Sequence, residues 1–444
     1  MRSKAIDHSL AAEDWGRVAQ LIDEIANDVL GGNAYFTTIL GWLDAMPQEV
    51  VRANPHLSIL RAWMLLLMPR PDDAERCLQE IESATNGPLP DEVRLQIVAM
   101  RAFLARQQKD THKALDLSHQ VLDALDEGVS APNLVRPLVA LNLANVYRMI
   151  GDVVKAEHWF SEVLVSTQEA GITLTLAVIS GQAASQIMGG KLHQAAETYR
   201  RGLQLADTAA QQSGRAAPAA ALIHTGLGDL LREWNKLDEA EHHLTQGIER
   251  GQRGQVGMAL CNGYLFLARL RLAQGDMAGA LDMLQQAEQL PEAYQAAPRY
   301  SEPVGACRAR LMLTQARSSA DDLKARRLEA VEQWAEARGL STDVHISSVD
   351  DEFEHLVWAR LLIAQGNAAQ ALQLLAHLLQ AAEEFRRVGR VIEILALQAL
   401  AQQALGDIEQ ALAILERALS LAEPEGYIRL FVDEGLPMTE LLRQ

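Results

Sequence analysis

The chain has 444 residues, 49% hydrophobic and 22% charged, a balance that suits a folded protein and excludes a disordered one. Forty basic residues against 58 acidic leave a net charge of −18, which opposes nucleic-acid binding by this segment and attachment to an acidic membrane surface. Three scattered cysteines, Cys77, Cys261 and Cys307, make no disulfide framework and point to a reducing, cytoplasmic setting.

In chain order, Met1-Arg2-Ser3-Lys4 leads into no apolar stretch, so no signal peptide is expected. The apolar run Ala62 to Met68 is far short of the roughly 20 residues a membrane span needs. Leu, Ala, Gln and Glu dominate throughout and favour helix. One pattern recurs: a helical stretch, a turn-forming residue, then Ala five positions later opening a second helix. It runs from Gly151 to Ala156, Gly190 to Ala195, Asn235 to Ala240, Gly275 to Ala280, Gly366 to Ala371 and Gly406 to Ala411. Weaker copies run from Asp14 to Ala19, Pro69 to Ala74 and Lys109 to Ala114.

These alanines are spaced by 55, 40, 42, 39, 45, 40, 91 and 40 residues, and the repeated value near 40 makes the chain a tandem array. The gap of 91 hides one degenerate unit near 303–340. Each unit is expected to be a helix hairpin. Gly or Asn takes the left-handed conformation that stops the first helix, a following Asp caps the second, and Ala lets the two cross closely. Leu143, Ala144 and Tyr147 share one face of the first helix of a unit, and Ala156, Phe160 and Val163 one face of the second. A single hairpin cannot bury both faces, so neighbours must stack into an all-α solenoid of about ten hairpins. The array is expected over 1–425, with Pro291–Pro303 and Ser341–Asp351 as internal loops and 426–444 as a tail.

The pattern resembles the tetratricopeptide repeat, which implies a right-handed superhelix, although these units are longer than that family's and mostly lack its aromatic and closing proline. The ends resemble a narrower group. His8-Ser-Leu-Ala-Ala-Glu-Asp-Trp15, Trp42-Leu-Asp-Ala-Met-Pro-Gln-Glu49, Asn54-Pro-His-Leu57 and the tail Leu419 to Leu442 are similar to the repeat region of large ATP-dependent LuxR-type activators, the MalT-like family. The resemblance implies a nucleotide-binding switch domain before this region and a helix-turn-helix after it. The chain is therefore expected to be the sensor region of a longer regulator. ATP would belong to the upstream domain and no cofactor to this chain. Gly189-Gly190-Lys191 is followed by Leu192 and sits in a repeat turn, so it is no phosphate-binding loop.

Enzyme chemistry finds little support. His112 and His119 lie seven apart, His242 and His243 point to different faces, and His345 and His355 flank acidic Asp350-Asp351-Glu352. None forms a metal-ligand motif, and solvated histidines are expected. The cysteines read as buried apolar residues, Glu383-Glu384 and Asp321-Asp322 as solvated, and the cluster Arg386, Arg387 and Arg390 as paired with nearby acids. The groove lined by the first helix of each hairpin is the better candidate. The repeat register puts Asn142, Asn145 and Arg148 there, then small Gly181 and Ala184, then Asp229, Arg232 and Glu233, then Phe266 and Arg269. Asn145, Ala184, Asp229 and Arg269 are equivalent positions and are expected to form a row. Amides, carboxylates and guanidinia beside an aromatic ring suit a polar small molecule or a peptide. The expected function is effector sensing, by a small molecule or a regulatory protein, that controls the activation and self-association of the regulator. The alternative is a separate scaffold that binds peptides or proteins in its groove.

Overall fold

The computed structural model describes residues 2–444 other than 31–35, 68–69, 85–88, 134, 167–170, 215, 292–302, 318–319 and 342–347. Every regular element among the described residues is helical. Most of the two expected loops lies outside the described residues, as do Pro69 and His345.

The repeat turns follow the chemistry expected of them. Gly151, Gly190, Gly275, Gly366 and Gly406 all have positive φ, and so does Asn235 at 57°. Where Asp follows, it caps the next helix: the carboxylates of Asp110, Asp152, Asp276 and Asp407 accept the backbone N–H three residues on, at 2.9–3.1 Å. The alanines at 114, 156, 195, 240, 280, 371 and 411 are fully buried at the crossings. The first copy is the exception. Glu13, not Asp14, takes the left-handed conformation, and Val18, five residues on, is the buried residue, while Ala19 is half-buried. The degenerate unit is still a hairpin, Val304–Arg317 followed by Asp321–Ala337. It kept its packing faces and lost only its turn signature.

The chain divides into two compact units. Unit 1 comprises Met1–Val146, His158–Ile179 and Leu205–Ala219. Within it Trp63 meets Phe103 edge-on at 5.6 Å, and Trp42 Nε1 donates to Asp7 at 3.0 Å. Unit 2 comprises Tyr147–Glu157, Ser180–Gln204 and Ala220–Gln444. Its hairpins include Ala220–Glu233 with Leu237–Gly254, Gly257–Ala273 with Met277–Glu288, Val349–Ala364 with Ala368–Glu384, and Val388–Leu405 with Ile408–Ala422.

The tail is part of this packing. After Gly426 it forms two short helices, Arg429–Val432 and Leu436–Leu441, and turns back onto unit 2. Phe431, Met438 and Leu441 are buried in one core with Leu395, Leu415 and other residues of the last hairpins. Three buried side chains of that size stabilise the tail by about 1.5–3 kcal/mol each. Capping the exposed apolar end of a repeat array in this way is what solubility requires.

Ala240→Leu tests the repeat register. It should overpack a helix crossing and cost about 1–3 kcal/mol. Thermal unfolding should show a lower Tm, and an unchanged Tm would contradict this crossing.

Candidate functional site

Unit 2 closes on itself. The turn at Arg387–Gly389 packs against the turns at Gly151 and Gly190, more than 190 residues earlier in the chain. Glycine is required at both earlier turns. A β-carbon on Gly151 would collide with the Arg387 guanidinium, and one on Gly190 would lie 2.8 Å from Val388 Cβ. Gly389 likewise leaves room for Tyr427 Oη and the carbonyl of Ile187. This seam and the tail line a cavity of about 180 Å³. At roughly 10–15 Å³ per water position that is room for on the order of a dozen waters, or for one small organic molecule.

The wall joins an apolar part, including Met188, Leu222, Phe266, Phe353 and Leu430, to a lattice of buried ion pairs. Arg232 is only 1% exposed. It reaches Asp229 at 3.1 Å, Glu233 at 3.3 Å and Asp433 of the tail at 2.8 Å. Arg269 shares Asp229 at 3.3 Å. Across the cavity Glu352, fully buried, pairs with Arg387 at 2.9 Å and Arg390 at 3.2 Å. Arg390 also pairs with Glu393 and lies 4.1 Å from the centre of the Phe353 ring.

The tail is held by the same chemistry. Glu434, 2% exposed, pairs with Arg360 at 2.7 Å and Arg317 at 3.1 Å. Arg317 also donates to the Glu434 carbonyl at 2.6 Å. The Leu430 N–H donates to Glu233 at 2.8 Å, and Trp234 Nε1 to the Glu425 carbonyl at 2.8 Å. Burial alone would raise the Glu434 pKa, but Arg360, Arg317 and Arg310 outweigh it and hold the carboxyl at about 2. Asp433 is likewise lowered against burial by Arg232 and Arg429. Glu233 is raised, because burial outweighs the pull of Arg232. Burial also pushes the Tyr427 phenol up.

Six of the residues expected in the groove line this cavity: Arg148, Asp229, Arg232, Glu233, Phe266 and Arg269, with Ala184 between. Asn142 and Asn145 do not. Asn142 is fully buried in unit 1, accepts from Arg106 at 2.7 Å and donates to Ser118 at 3.2 Å. Asn145 donates to the Leu141 carbonyl of its own helix at 2.8 Å. The expected row therefore holds in unit 2 for Ala184, Asp229 and Arg269, without Asn145. Gly181 does not line the cavity.

Sequence reasoning missed the far wall. The expected pairing of the Arg386, Arg387 and Arg390 cluster with nearby acids holds for Arg390 with Glu393, but Arg387 and Arg390 also share Glu352, which lies 35 residues before Arg387, and only Arg386 of the cluster is exposed. Tyr427 and Asp433 also belong to the wall. The available signal was the polar run Asp433-Glu434 amid apolar residues of the tail, a pattern that calls for buried cations.

Other candidates fall away. The reading of the histidines as solvated fails for His355, which is buried, and for His243, which is half-buried with its Nδ1 3.0 Å from Nδ1 of His224. Burial, with a smaller contribution from His243, lowers His224 to about 3, and burial lowers His243 as well. Cys261 and Cys307 are buried, and burial pushes the Cys77 thiol up to about 11. No group of three or more potential metal ligands occurs among the described residues. No helix among them is long and apolar enough to cross a membrane.

Fold and cavity together define a tetratricopeptide-type solenoid with a charge-lined cavity. A family model described as the MalT-like TPR region matches residues 96–444, and the chain belongs to that family. It is 23% identical over 448 residues to the HTH-type transcriptional regulator MalT of Vibrio campbellii (strain ATCC BAA-1116), covering 99% of this chain and 47% of that protein. It is 25% identical to the same-named regulator of Cronobacter sakazakii (strain ATCC BAA-894), covering 100% of this chain and 47% of the relative. The chain thus spans about half the length of these relatives. Among solved structures, a Rap protein complexed with competence and sporulation factor matches with a TM-score of 0.59 at 11% identity, covering 84% of this chain and 98% of that one. NprR in complex with its peptide NprX matches at 0.50 and 15%, covering 88% and 98%. Both are helical solenoids and support the fold.

Arg232→Ala takes the arginine partner from Glu233 and one of two arginine partners from Asp229 and Asp433, and should cost about 3–5 kcal/mol, read as a lower denaturation midpoint. A shift under 1 kcal/mol would show that water replaces the guanidinium at little cost. Acid has a signed effect. Glu434 goes from an ordinary 4.5 to about 2 on folding, so its contribution is complete above pH 4.5 and fades as pH falls toward 2. Amide exchange in the tail should therefore accelerate in that window in the native chain. In Glu434→Gln the acceleration should be much smaller.

Proposed function

We propose that this chain is the effector-sensing region of a larger transcriptional regulator and that the unit 2 cavity receives the effector. The observation that carries the reading is a single cavity lined jointly by the repeat helices and the tail. A chamber of about 180 Å³ combines an apolar floor with oriented charged groups, which is how small-molecule sites gain both affinity and orientation. Family membership in the MalT-like TPR region, and relatives named as transcriptional regulators, support the regulatory half of the reading. A volume of about 180 Å³ suits a small molecule better than an extended peptide.

Sensing would work by population shift. A ligand in the cavity touches the repeat helices on one side and Tyr427, Leu430 and Asp433 of the tail on the other. It therefore binds the closed arrangement better than any open one and biases the equilibrium by that difference. Self-association of the full regulator would be the coupled output.

A library of small metabolites screened by thermal shift tests this. At least one compound should raise the Tm, and Phe266→Ala should abolish that rise, because the ring lines the chamber. A screen without any stabilising compound, or a rise that survives Phe266→Ala, would count against the cavity as receptor.

A further inference from the structure

The charge of the wall is at odds with the charge of the chain. The protein carries −18, yet the cavity wall presents six arginines, Arg148, Arg232, Arg269, Arg310, Arg387 and Arg390, against five carboxylates. Behind the wall the surplus grows, because Arg317, Arg360 and Arg429 stand there with Glu434. Every carboxylate of the wall is already engaged by arginine: Asp229, Glu233 and Asp433 by Arg232, Glu352 by Arg387, and Glu393 by Arg360 and Arg390. Raising a buried guanidinium without matching charge is costly, so a surplus of this kind is either relieved by a bound anion or maintained against stability.

Two buried polar atoms point the same way. The Nε–H of Arg387, in a residue 4% exposed, has no protein hydrogen-bond acceptor, and neither has the buried Tyr427 hydroxyl. Both residues line the cavity. An unmatched N–H donor on a guanidinium is the group that an oxyanion satisfies best, through a charge-assisted bond. Phe266, Phe353 and Met188 require that the rest of the ligand be carbon.

We propose that the unit 2 cavity takes a small organic anion, a carboxylate or a phosphate monoester on a compact apolar body. The proposal deepens the effector-sensing reading and rests on it. The anionic group balances the arginine surplus, and the carbon body covers the aromatic floor. A neutral isostere would leave the surplus in place, and a cation would add to it.

Calorimetric titration of the full chain tests the assignment with two matched pairs, benzoate against benzamide and phenyl phosphate against phenol. At least one anion should bind about tenfold or more tightly than its neutral partner. The pair that shows the preference tells carboxylate from phosphate. Arg148→Gln should reduce the preference severalfold. Arg269→Gln, at a residue 23% exposed and therefore safer for folding, should do the same. Equal binding of neutral and anionic partners that is lost in Phe266→Ala would overturn the anion and leave the cavity as receptor. An anion preference untouched by both arginine variants would place the anion elsewhere and overturn the proposal. Binding of none of the four would also overturn it, and together with a blank metabolite screen would remove the cavity reading too.

Discussion

Unit 2 depends on the pairing of buried arginines in the groove with carboxylates of the C-terminal tail. Arg232 and Asp433 are about 200 residues apart in sequence, and so are Trp234 and Glu425. Such contacts cost loop entropy to form and are rewarded only when the whole superhelical turn is in place. The Arg360–Glu434 pair at 2.7 Å adds a second fixed point, and Phe431, Met438 and Leu441 supply the apolar anchorage between them. Breaking one partner leaves a buried charge, which is why these pairs specify the arrangement more than they add to net stability.

The closed seam follows from the same logic. Tandem hairpins need contact only their neighbours, so a solenoid has no inherent reason to close. Here Gly151 and Gly190 clear the space into which Arg387 and Val388 fit, and Glu352 fixes Arg387 from behind. Closure brings the tail and the last repeats to the same cavity as the earlier groove residues. The low dielectric inside makes each charged group count for more than it would on the surface. A ligand that satisfies those groups is bound by both walls, and the free energy of its binding is shared with the docking of the tail.

Much of the fold was legible in the sequence because its rule is local. The left-handed stop at Gly or Asn, the Asp cap and the small Ala at the crossing recur within a few residues of one another, and the structure repeats them in unit after unit. The near wall of the cavity was legible for the same reason: Asp229, Arg232, Phe266 and Arg269 occupy groove positions set by the repeat register alone. Asn142 failed because its helix face turns toward Ser118 and Arg106 in unit 1, a packing choice that the register does not encode. The far wall failed for a different reason. Glu352, Arg387 and Asp433 reach the cavity through superhelical closure, which depends on contacts between distant repeats and leaves no periodic trace. The run Asp433-Glu434 in the tail hints at buried cations, but nothing local names Arg232 and Arg360 as its partners.

Difference hydrogen exchange on the intact chain, with and without the small-molecule fraction of a cell extract, tests the central claim most directly. The account predicts slowed exchange confined to the cavity wall, in Ala220–Glu233, in Gly257–Ala273, at the start of Val388–Leu405 and through residues 427–434 of the tail. Protection of the wall without the tail would contradict the coupling between ligand and tail. Protection elsewhere, or none, would contradict the cavity as the seat of sensing.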